Sequence, residues 1–204
     1  MVEQQLRKRG ISDSRVLAAM GKVPRELFVP PEYEAHAYDD DPLPIGLAQT
    51  ISQPYMVALM AQCLHLNGDE QVLEVGCGSG YAAAVLSLLA GEVISLEHLP
   101  ELAEHATAAL STTGYSRKVE VLCLDGSLGY PLKAPYPAIS VAAGAPHVPP
   151  ALLEQLAEGG RLVIPVGSHE DQDLLVASRL HGKIEYRTAT HCRFVPLTGA
   201  QGWN

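Results

Sequence analysis

The chain is short of basic residues, and this shortage limits the partners it can have. It carries 14 lysines and arginines against 23 aspartates and glutamates, for a formal net charge of −9. Binding to nucleic acid depends on basic patches that neutralise phosphates. We therefore expect no nucleic-acid partner, and we interpret the densest basic run, at 7–9, as a solvated helix face.

Cysteine is also sparse, and its spacing shows no metal-binding pattern. The four cysteines, at positions 63, 77, 123 and 192, form no C-x-x-C pair, and no paired histidines stand at ligand spacing. We predict no metal site, and we interpret the thiols as reduced, small hydrophobic side chains.

Long apolar runs are missing as well. No stretch reaches the roughly 18–20 residues that a membrane span needs, and no charged-then-apolar signal region opens the chain. These features predict a cytoplasmic protein with no membrane partner. With 204 residues, of which 47% are hydrophobic, the chain is large enough to bury a core, so we expect one domain. We also expect a monomer.

The most informative segment present lies at 71–81 and reads Gln-Val-Leu-Glu-Val-Gly-Cys-Gly-Ser-Gly-Tyr. A short apolar run stops at glycines 76, 78 and 80, and a helical pattern follows at once. This order predicts a strand, a tight turn and a helix start, where backbone amides can receive a nucleotide-like ligand.

The spacing of these glycines bears on which ligand is bound. A dinucleotide motif reads G-x-G-x-x-G, whereas here the third glycine comes one position early and Tyr81 stands in its place. Glu97, at the end of the next apolar run, suits the ribose of any adenosine cofactor. The shortened motif resembles the S-adenosylmethionine site of Rossmann-like methyltransferases. A dehydrogenase and a plain structural turn remain the alternatives.

The rest of the pattern predicts an α/β fold. Strand and helix signals alternate after residue 70, which is typical of βαβ units and a parallel sheet. His181-Gly182 then marks a hairpin between segments 173–180 and 183–195. We predict a Rossmann-like methyltransferase fold, with a mixed, mostly parallel sheet flanked by helices and an antiparallel C-terminal strand pair. The predicted strands are 71–76, 92–97, 118–124, 138–143 and 160–166, and the predicted helices are 53–66, 81–90, 99–112 and 149–157.

The first 66 residues carry a different pattern. Helical spacing at 2–20 includes a helix capped by Ser12 or Asp13, and a proline-rich passage follows it. That passage is too apolar for a disordered linker, so we predict an ordered wrapping segment. We divide the single domain of 1–204 into an N-terminal helical and wrapping segment (1–66) and a Rossmann-like core (67–204).

Two polar positions have both a structural and a functional interpretation. Asp125, before Gly126 at a strand end, suits an adenine amino group, but Asp-Gly is also a common turn or cap pair. Ser52 precedes the helix that Gln53-Pro54 opens, so it suits an N-cap. It equally suits a contact with a substrate carboxylate at that helix N-terminus.

Several stretches together make the chain resemble the protein-L-isoaspartate O-methyltransferases over nearly its full length. The glycine motif is shared with many methyltransferases, whereas Gln-Thr-Ile-Ser at this distance upstream is specific to that family. The matching stretches are Asp-Pro-Leu-Pro-Ile-Gly at 41–46, Gln-Thr-Ile-Ser-Gln-Pro-Tyr-Met at 49–56, Val-Leu-Glu-Val-Gly-Cys-Gly-Ser-Gly-Tyr at 72–81, Asp-Gly-Ser-Leu-Gly-Tyr-Pro at 125–131, Ala-Ala-Gly-Ala-Pro at 142–146, Gly-Gly-Arg-Leu-Val-Ile-Pro-Val-Gly at 159–167 and Arg-Phe-Val-Pro-Leu at 193–197.

The resemblance implies methyl transfer from S-adenosylmethionine to the free α-carboxylate of isoaspartyl residues in damaged proteins and peptides. It implies catalytic roles for Ser52 and Thr50. The implied cofactor-binding residues are Gln49, Glu74, Gly76, Cys77, Gly78, Ser79, Gly80, Glu97, His98, Asp125 and Gly126. The implied substrate-binding residues are Ile51, Ser52, Val195, Pro196 and Leu197.

The chain departs from the family pattern at two places. Ala48 stands where the family usually has glycine, so a positive φ there would strain the backbone. Pro137 stands where the family usually has aspartate at the start of a strand, and proline is tolerated there only at the first residue of a strand or at an edge. A same-fold methyltransferase with another acceptor, a non-catalytic cofactor-binding homologue and an NAD-dependent oxidoreductase are the alternative functions.

Overall fold

The computed structural model describes residues 1–203, and its centre is one seven-stranded sheet. The α-helices are α1 (Ser14–Lys22), α2 (Pro54–Leu64), α3 (Tyr81–Ser87), α4 (Pro100–Thr113) and α5 (Pro150–Glu154). The strands are β1 (Leu43–Gly46), β2 (Gln49–Ile51), β3 (Gln71–Val75), β4 (Glu92–Glu97), β5 (Val119–Cys123), β6 (Tyr136–Val141), β7 (Leu156–Gly167), β8 (Gln172–Leu180) and β9 (Lys183–Cys192).

The strand order of the sheet is β5-β4-β3-β6-β7-β8-β9. Along this order, neighbouring strands are parallel from β5 to β7 and antiparallel from β7 to β9. The predicted mixed sheet with a C-terminal antiparallel pair is therefore confirmed. The chain runs outward from β3 through β4 to β5 and then returns to add β6 on the other side of β3. This reversal places a crevice at the carboxyl ends of β3 and β6, where open α/β sheets bind ligands.

Alternating side chains along the central strands serve two cores. Val72, Val93 and Ala138 belong to the core that includes α1, α2 and α3, whereas Leu73 and Ile94 belong to the core on the other face. All of these side chains are fully or almost fully buried. Parallel strands covered on both faces need such continuous apolar sequences. The division of the domain at residue 66 stays a prediction.

The N-terminal segment differs in detail from its prediction. Residues 2–9 form short turns of π- and 3-10 helix, and Gly10 then adopts a left-handed φ of 92° that ends them. Of the two candidate caps, Asp13 is the one used, because its carboxylate accepts hydrogen bonds from the amides of Arg15 and Val16. The proline-rich passage forms short 3-10 turns at 25–28 and 31–36, and β1 at its end pairs with β2.

The region around β7 also corrects the sequence prediction. The helix predicted at 149–157 ends at Glu154, and β7 begins at Leu156, earlier than expected. Leu156 is drawn into the sheet because it pairs with Tyr136 of β6. The register then shifts between Tyr136 and Ala138, so Pro137 lies at an irregularity where a missing amide donor is tolerated.

The C-terminal hairpin has the predicted turn. His181 and Gly182 have φ values of 52° and 74°, the left-handed pair that a two-residue hairpin favours. Within residues 1–203, no helix combines the length and the hydrophobicity needed to cross a bilayer.

Candidate active site

A pocket opens at the carboxyl ends of β3 and β4, beside the segment that follows β6. It encloses roughly 590 Å³, counting the part open to solvent. Its lining comprises Gln49, Thr50, Val75, Gly76, Gly78, Leu96, Glu97, His98, Leu99, Leu102, Gly126, Ala142, Ala143, Val195, Pro196, Leu197 and Thr198. The pocket therefore joins the glycine loop, the Gln-Thr-Ile-Ser hairpin and the C-terminal segment.

The glycine loop takes a conformation that few other residues could adopt. Gly76, Gly78 and Gly80 have φ values of 87°, 55° and 85°. The amide of Gly76 donates to the carbonyl of Leu96 at 2.8 Å, which ties the loop to the neighbouring strand. A Cβ at Gly78 would come within 3.3 Å of the Ile45 side chain. The sequence therefore uses glycine where the backbone itself forms the pocket wall.

Glu97 anchors this wall. One carboxylate oxygen accepts from the Gly78 amide at 2.8 Å, and the other accepts from the amides of His98 and Leu99 at 2.8 and 3.0 Å. The side chain is buried at the end of β4 and lines the pocket. A carboxylate has about four acceptor positions, so Glu97 is held rigidly and still has acceptor capacity for a ligand hydroxyl.

Asp125 acts as a cap in this structure. One oxygen accepts from the amide and the hydroxyl of Ser127 at 2.9 and 2.6 Å, and the other accepts from the Ala200 amide at 2.8 Å. Partial burial alone would raise its pKa, but these hydrogen bonds prevail and lower it. Gly126 lines the pocket, whereas Asp125 holds the C-terminal segment beside it. A contact between Asp125 and adenine stays a prediction.

Ser52 lies in a second, smaller cavity that adjoins the first. Thr50, Ile51, Ser52, Val57, Gly76, Cys77, Gly78, Ser79, Tyr81, Ala82 and Ala142 line it. Thr50, Gly76, Gly78 and Ala142 belong to both linings. A ligand along the glycine loop and a second ligand at Ser52 would therefore meet at these shared residues.

The start of α2 shows how Ser52 is used. The helix N-cap is Gln53, whose side chain makes no capping hydrogen bond. The carboxylate of Asp40 instead accepts from the Tyr55 amide at 3.0 Å. Ser52 therefore takes no part in capping α2, which leaves its hydroxyl available to a ligand.

The sequence as a whole now identifies the family. A model of the family described as protein-L-isoaspartate(D-aspartate) O-methyltransferase matches residues 1–202. The chain belongs to this family. It is 58% identical to protein-L-isoaspartate O-methyltransferase 2 of Marinobacter nauticus, over 100% of this chain and 93% of that protein. It is 53% identical to the protein-L-isoaspartate O-methyltransferase of Herpetosiphon aurantiacus, over 100% of this chain and 90% of that protein.

Solved structures of related proteins share the fold. One protein-L-isoaspartate O-methyltransferase superposes with a TM-score of 0.87 at 30% identity, over 96% of this chain, which spans 64% of that protein. A structure from Plasmodium falciparum in complex with S-adenosyl-L-homocysteine superposes with a TM-score of 0.84 at 24% identity, over 97% of this chain and 96% of that one. The second likeness concerns the fold alone.

Most of the residues expected from the family lie at the two cavities, but three do not. In residues 1–203, Glu74, Gly80 and Asp125 are outside both linings. Gly80 instead begins α3 and packs close to Ala106 and Leu110 of α4. The roles of the individual site residues in this family member stay predictions.

Three predicted substrate residues line the larger pocket and not the cavity that contains Ser52. Val195, Pro196 and Leu197 line the larger pocket, together with Glu97 and Gly126. Their backbone reaches this position because Gly144 and Leu197 hydrogen-bond the segment to the loop after β6. They therefore border the glycine-loop side of the site as well as any peptide groove.

Glu74 is buried beneath the site, between β4 and β6. Its registered neighbours are Ser95 and Ser140, and the Ser95 hydroxyl donates to one of its carboxylate oxygens. The other oxygen has no hydrogen-bond partner within residues 1–203. Burial raises the pKa of Glu74 to about 8, against the opposing hydrogen bond from Ser95 and with some help from Glu97. Glu74 therefore holds a proton at neutral pH.

Sequence reasoning missed several lining residues and the cap of α2. Ala142 and Ala143 follow β6, and their place beside β3 could have been inferred from the strand alternation that predicts the parallel sheet. Asp40 gave no local signal, because its contact with Tyr55 crosses 15 residues of chain. Arg9, interpreted as a solvated residue, pairs with Asp40.

Proposed function

We propose that this chain transfers a methyl group from S-adenosylmethionine to the free α-carboxylate of L-isoaspartyl residues in damaged proteins and peptides. The observation that carries the proposal is the junction of two cavities at Thr50, Gly76, Gly78 and Ala142, with Ser52 on the acceptor side. Membership of the family and the names of its relatives support it.

The larger pocket fits an adenosine-type ligand. Glycine backbone forms one wall, the Glu97 carboxylate suits ribose hydroxyls, and Leu99 and Leu102 supply an apolar surface. Gly126 lies so close to β3 that a Cβ would stand 2.4 Å from the Val75 side chain. Only glycine therefore fits at this point of the pocket wall. When bound, S-adenosylmethionine supplies a sulfonium-activated methyl group.

The acceptor carboxylate needs no general base. Carboxylic acids of this type have pKa values near 4, so the nucleophile is ionised at neutral pH. The residues around Ser52 have only to bind and align it, and alignment of two reactants can lower a barrier by about 7–11 kcal/mol in well-oriented cases. In this proposal Ser52 donates a hydrogen bond to the carboxylate, and Thr50 helps to fix its approach.

The proposal also covers partners and compartment. Proteins that carry isoaspartyl residues are the expected partners, and the net charge of −9 supports a chain that does not depend on nucleic acid. We propose as well that the chain is a monomer and that it is located in the cytoplasm. Light scattering after size-exclusion chromatography tests the first, and cell fractionation tests the second.

The test uses radiolabelled S-adenosylmethionine and two peptides that differ only in an aspartyl or isoaspartyl linkage, with label scored as base-labile methanol. We expect label on the isoaspartyl peptide alone. Ser52→Ala should lower kcat/KM about 10- to 100-fold, because a hydrogen bond to a charged group contributes about 1.5–3 kcal/mol. Its affinity for S-adenosylhomocysteine should not change.

Ser116→Ala is the matched control. Ser116 is exposed and lies just before the start of β5, whereas the pocket lies at the carboxyl ends of the strands, so this variant should keep full activity. Equal labelling of both peptides, or label on neither, would contradict the proposed acceptor. Unchanged turnover in Ser52→Ala would contradict the role of the hydroxyl.

A further inference from the structure

The N-terminus of α2 is held by a residue from outside the helix. The carboxylate of Asp40 accepts from the Tyr55 amide at 3.0 Å and from the Gln53 side-chain amide at 3.4 Å. Asp40 lies in the wrapping segment, 15 residues before Tyr55. A helix start normally takes its cap from the residue just before the first turn, so this arrangement needs an explanation.

Arg9 completes the contact. Its guanidinium pairs with Oδ2 of Asp40, whereas the Tyr55 amide donates to Oδ1. The guanidinium also lies over the Tyr55 ring, 3.6 Å from the ring centroid. The Arg9 side chain is 45% exposed and that of Asp40 is 21% exposed. An ion pair this exposed to solvent adds little stability by itself. Its effect is to fix the orientation of the Asp40 carboxylate.

The amide that Asp40 occupies is also the one that Ser52 would take. With Ser52 as N-cap, Gln53 and Pro54 would fill the first two helical positions, and proline has no amide hydrogen. The next amide, that of Tyr55, is a normal partner for an N-cap hydroxyl. Gln53 is the cap here, with φ −54° and ψ 146°, so Ser52 would reach this donor only if the backbone at Gln53 became helical, and Asp40 holds the donor in this structure.

We propose that Asp40, oriented by Arg9, is a positioning residue that keeps the Ser52 hydroxyl out of the helix cap and available to the acceptor carboxylate. This inference rests on the proposed function, because Asp40 affects the reaction only through the position of the Ser52 hydroxyl. Loss of the Asp40 carboxylate would free the Tyr55 amide and let the backbone at Gln53 change, so that Ser52 turns toward that amide. The acceptor would then lose its hydrogen bond although every lining residue is still present.

A double-mutant cycle tests this coupling. Asp40→Ala should lower kcat/KM for the isoaspartyl peptide about tenfold, because misplaced groups cost orders of magnitude in rate. Its affinity for S-adenosylhomocysteine should match that of the wild type. In a Ser52→Ala background, Asp40→Ala should change kcat/KM by less than about twofold, since coupled residues are not additive. Equal losses in both backgrounds would overturn the proposal.

Two further variants separate positioning from stability. Asp40→Asn keeps a carbonyl oxygen for the Tyr55 amide, so it should retain most of the activity, and it remains informative if Asp40→Ala fails to fold. Asp13→Ala removes the cap of α1, far from the site, and should cost comparable stability with no change in kcat/KM. A loss of activity in Asp13→Ala equal to that in Asp40→Ala would show a general effect of stability and refute the inference.

Hydrogen exchange at the Tyr55 amide gives a readout that does not need turnover. We expect protection in the wild type and in Asp40→Ala, where Ser52 takes over, and loss of protection in the double variant Asp40→Ala/Ser52→Ala. Loss of protection in Asp40→Ala alone would refute the competition. If the wild type labels no isoaspartyl peptide, the proposed function fails, and this exchange pattern still decides the competition for the amide.

Discussion

The turn between β1 and β2 makes a prediction that a single methyl group can test. Leu47 and Ala48 have φ values of 50° and 57°, so two residues with side chains occupy the left-handed region in succession. This is the arrangement of a two-residue hairpin, where glycine or asparagine is usual. Ala48 stands directly before the Gln-Thr-Ile-Ser segment, so its strain lies next to Gln49, which lines the pocket.

We expect Ala48→Gly to stabilise the protein. A left-handed residue with a Cβ costs roughly 1–2 kcal/mol, and glycine relieves that cost. The added freedom of glycine in the unfolded chain takes back about 0.4–1 kcal/mol. The net gain is then about 0.5–1 kcal/mol, which corresponds to a Tm increase of about 1–4 °C for a chain of this size.

Urea and thermal unfolding measure this difference, with the same substitution elsewhere as control. Ala108 is exposed in the interior of α4, where Ala→Gly should cost about 1 kcal/mol because glycine is a poor helix former. The two variants should therefore shift stability in opposite directions. A loss of stability in Ala48→Gly similar to that in Ala108→Gly would refute the reasoning from backbone strain.

Two further predictions concern buried positions beneath the site. Burial raises the pKa of Glu74 to about 8 in the folded chain, from an ordinary value of 4.5. Between these two values the folded state keeps a proton that the unfolded state has lost, so this contribution to the free energy of unfolding is complete below pH 4.5 and is lost as pH rises through 8. Glu74→Gln should therefore show a flatter dependence of Tm on pH between 5 and 8 than the wild type, and parallel curves would contradict a buried, protonated carboxyl. Gly126→Ala would bring a Cβ within 2.4 Å of Val75, so we expect a stability loss of about 1–3 kcal/mol in urea unfolding. Val75→Ala should restore part of that loss, and additive losses in the double variant would exclude the overlap as its cause.

The sequence predicted the parts of this protein that depend on local conformation. Alternating strand and helix patterns predicted the parallel sheet, because each period fixes which side chains face a core. The spacing of glycines at 76, 78 and 80 predicted the strand, turn and helix start, because only glycine adopts these φ values freely. His181-Gly182 predicted the hairpin for the same reason.

The sequence predicted the boundaries of helices and strands less accurately where pairing between strands determines them. The sequence favoured a helix up to residue 157, but Leu156 joins β7 because Tyr136 offers a strand partner. Similarly, the residues before the Gln-Thr-Ile-Ser segment read only as an ordered wrapping passage, and β1 exists because β2 pairs with it. Such choices depend on neighbours that a local pattern does not contain.

The roles of individual polar groups were decided by tertiary structure alone. Asp125 binds the amide of Ala200, 75 residues away, and Asp40 replaces Ser52 at the start of α2. A carboxylate at a strand end or a serine before a helix fits a cap and a ligand contact equally well in sequence. The choice depends on which donor the folded chain brings within hydrogen-bond distance, and that distance is set by the order of the strands and the path of the wrapping segment.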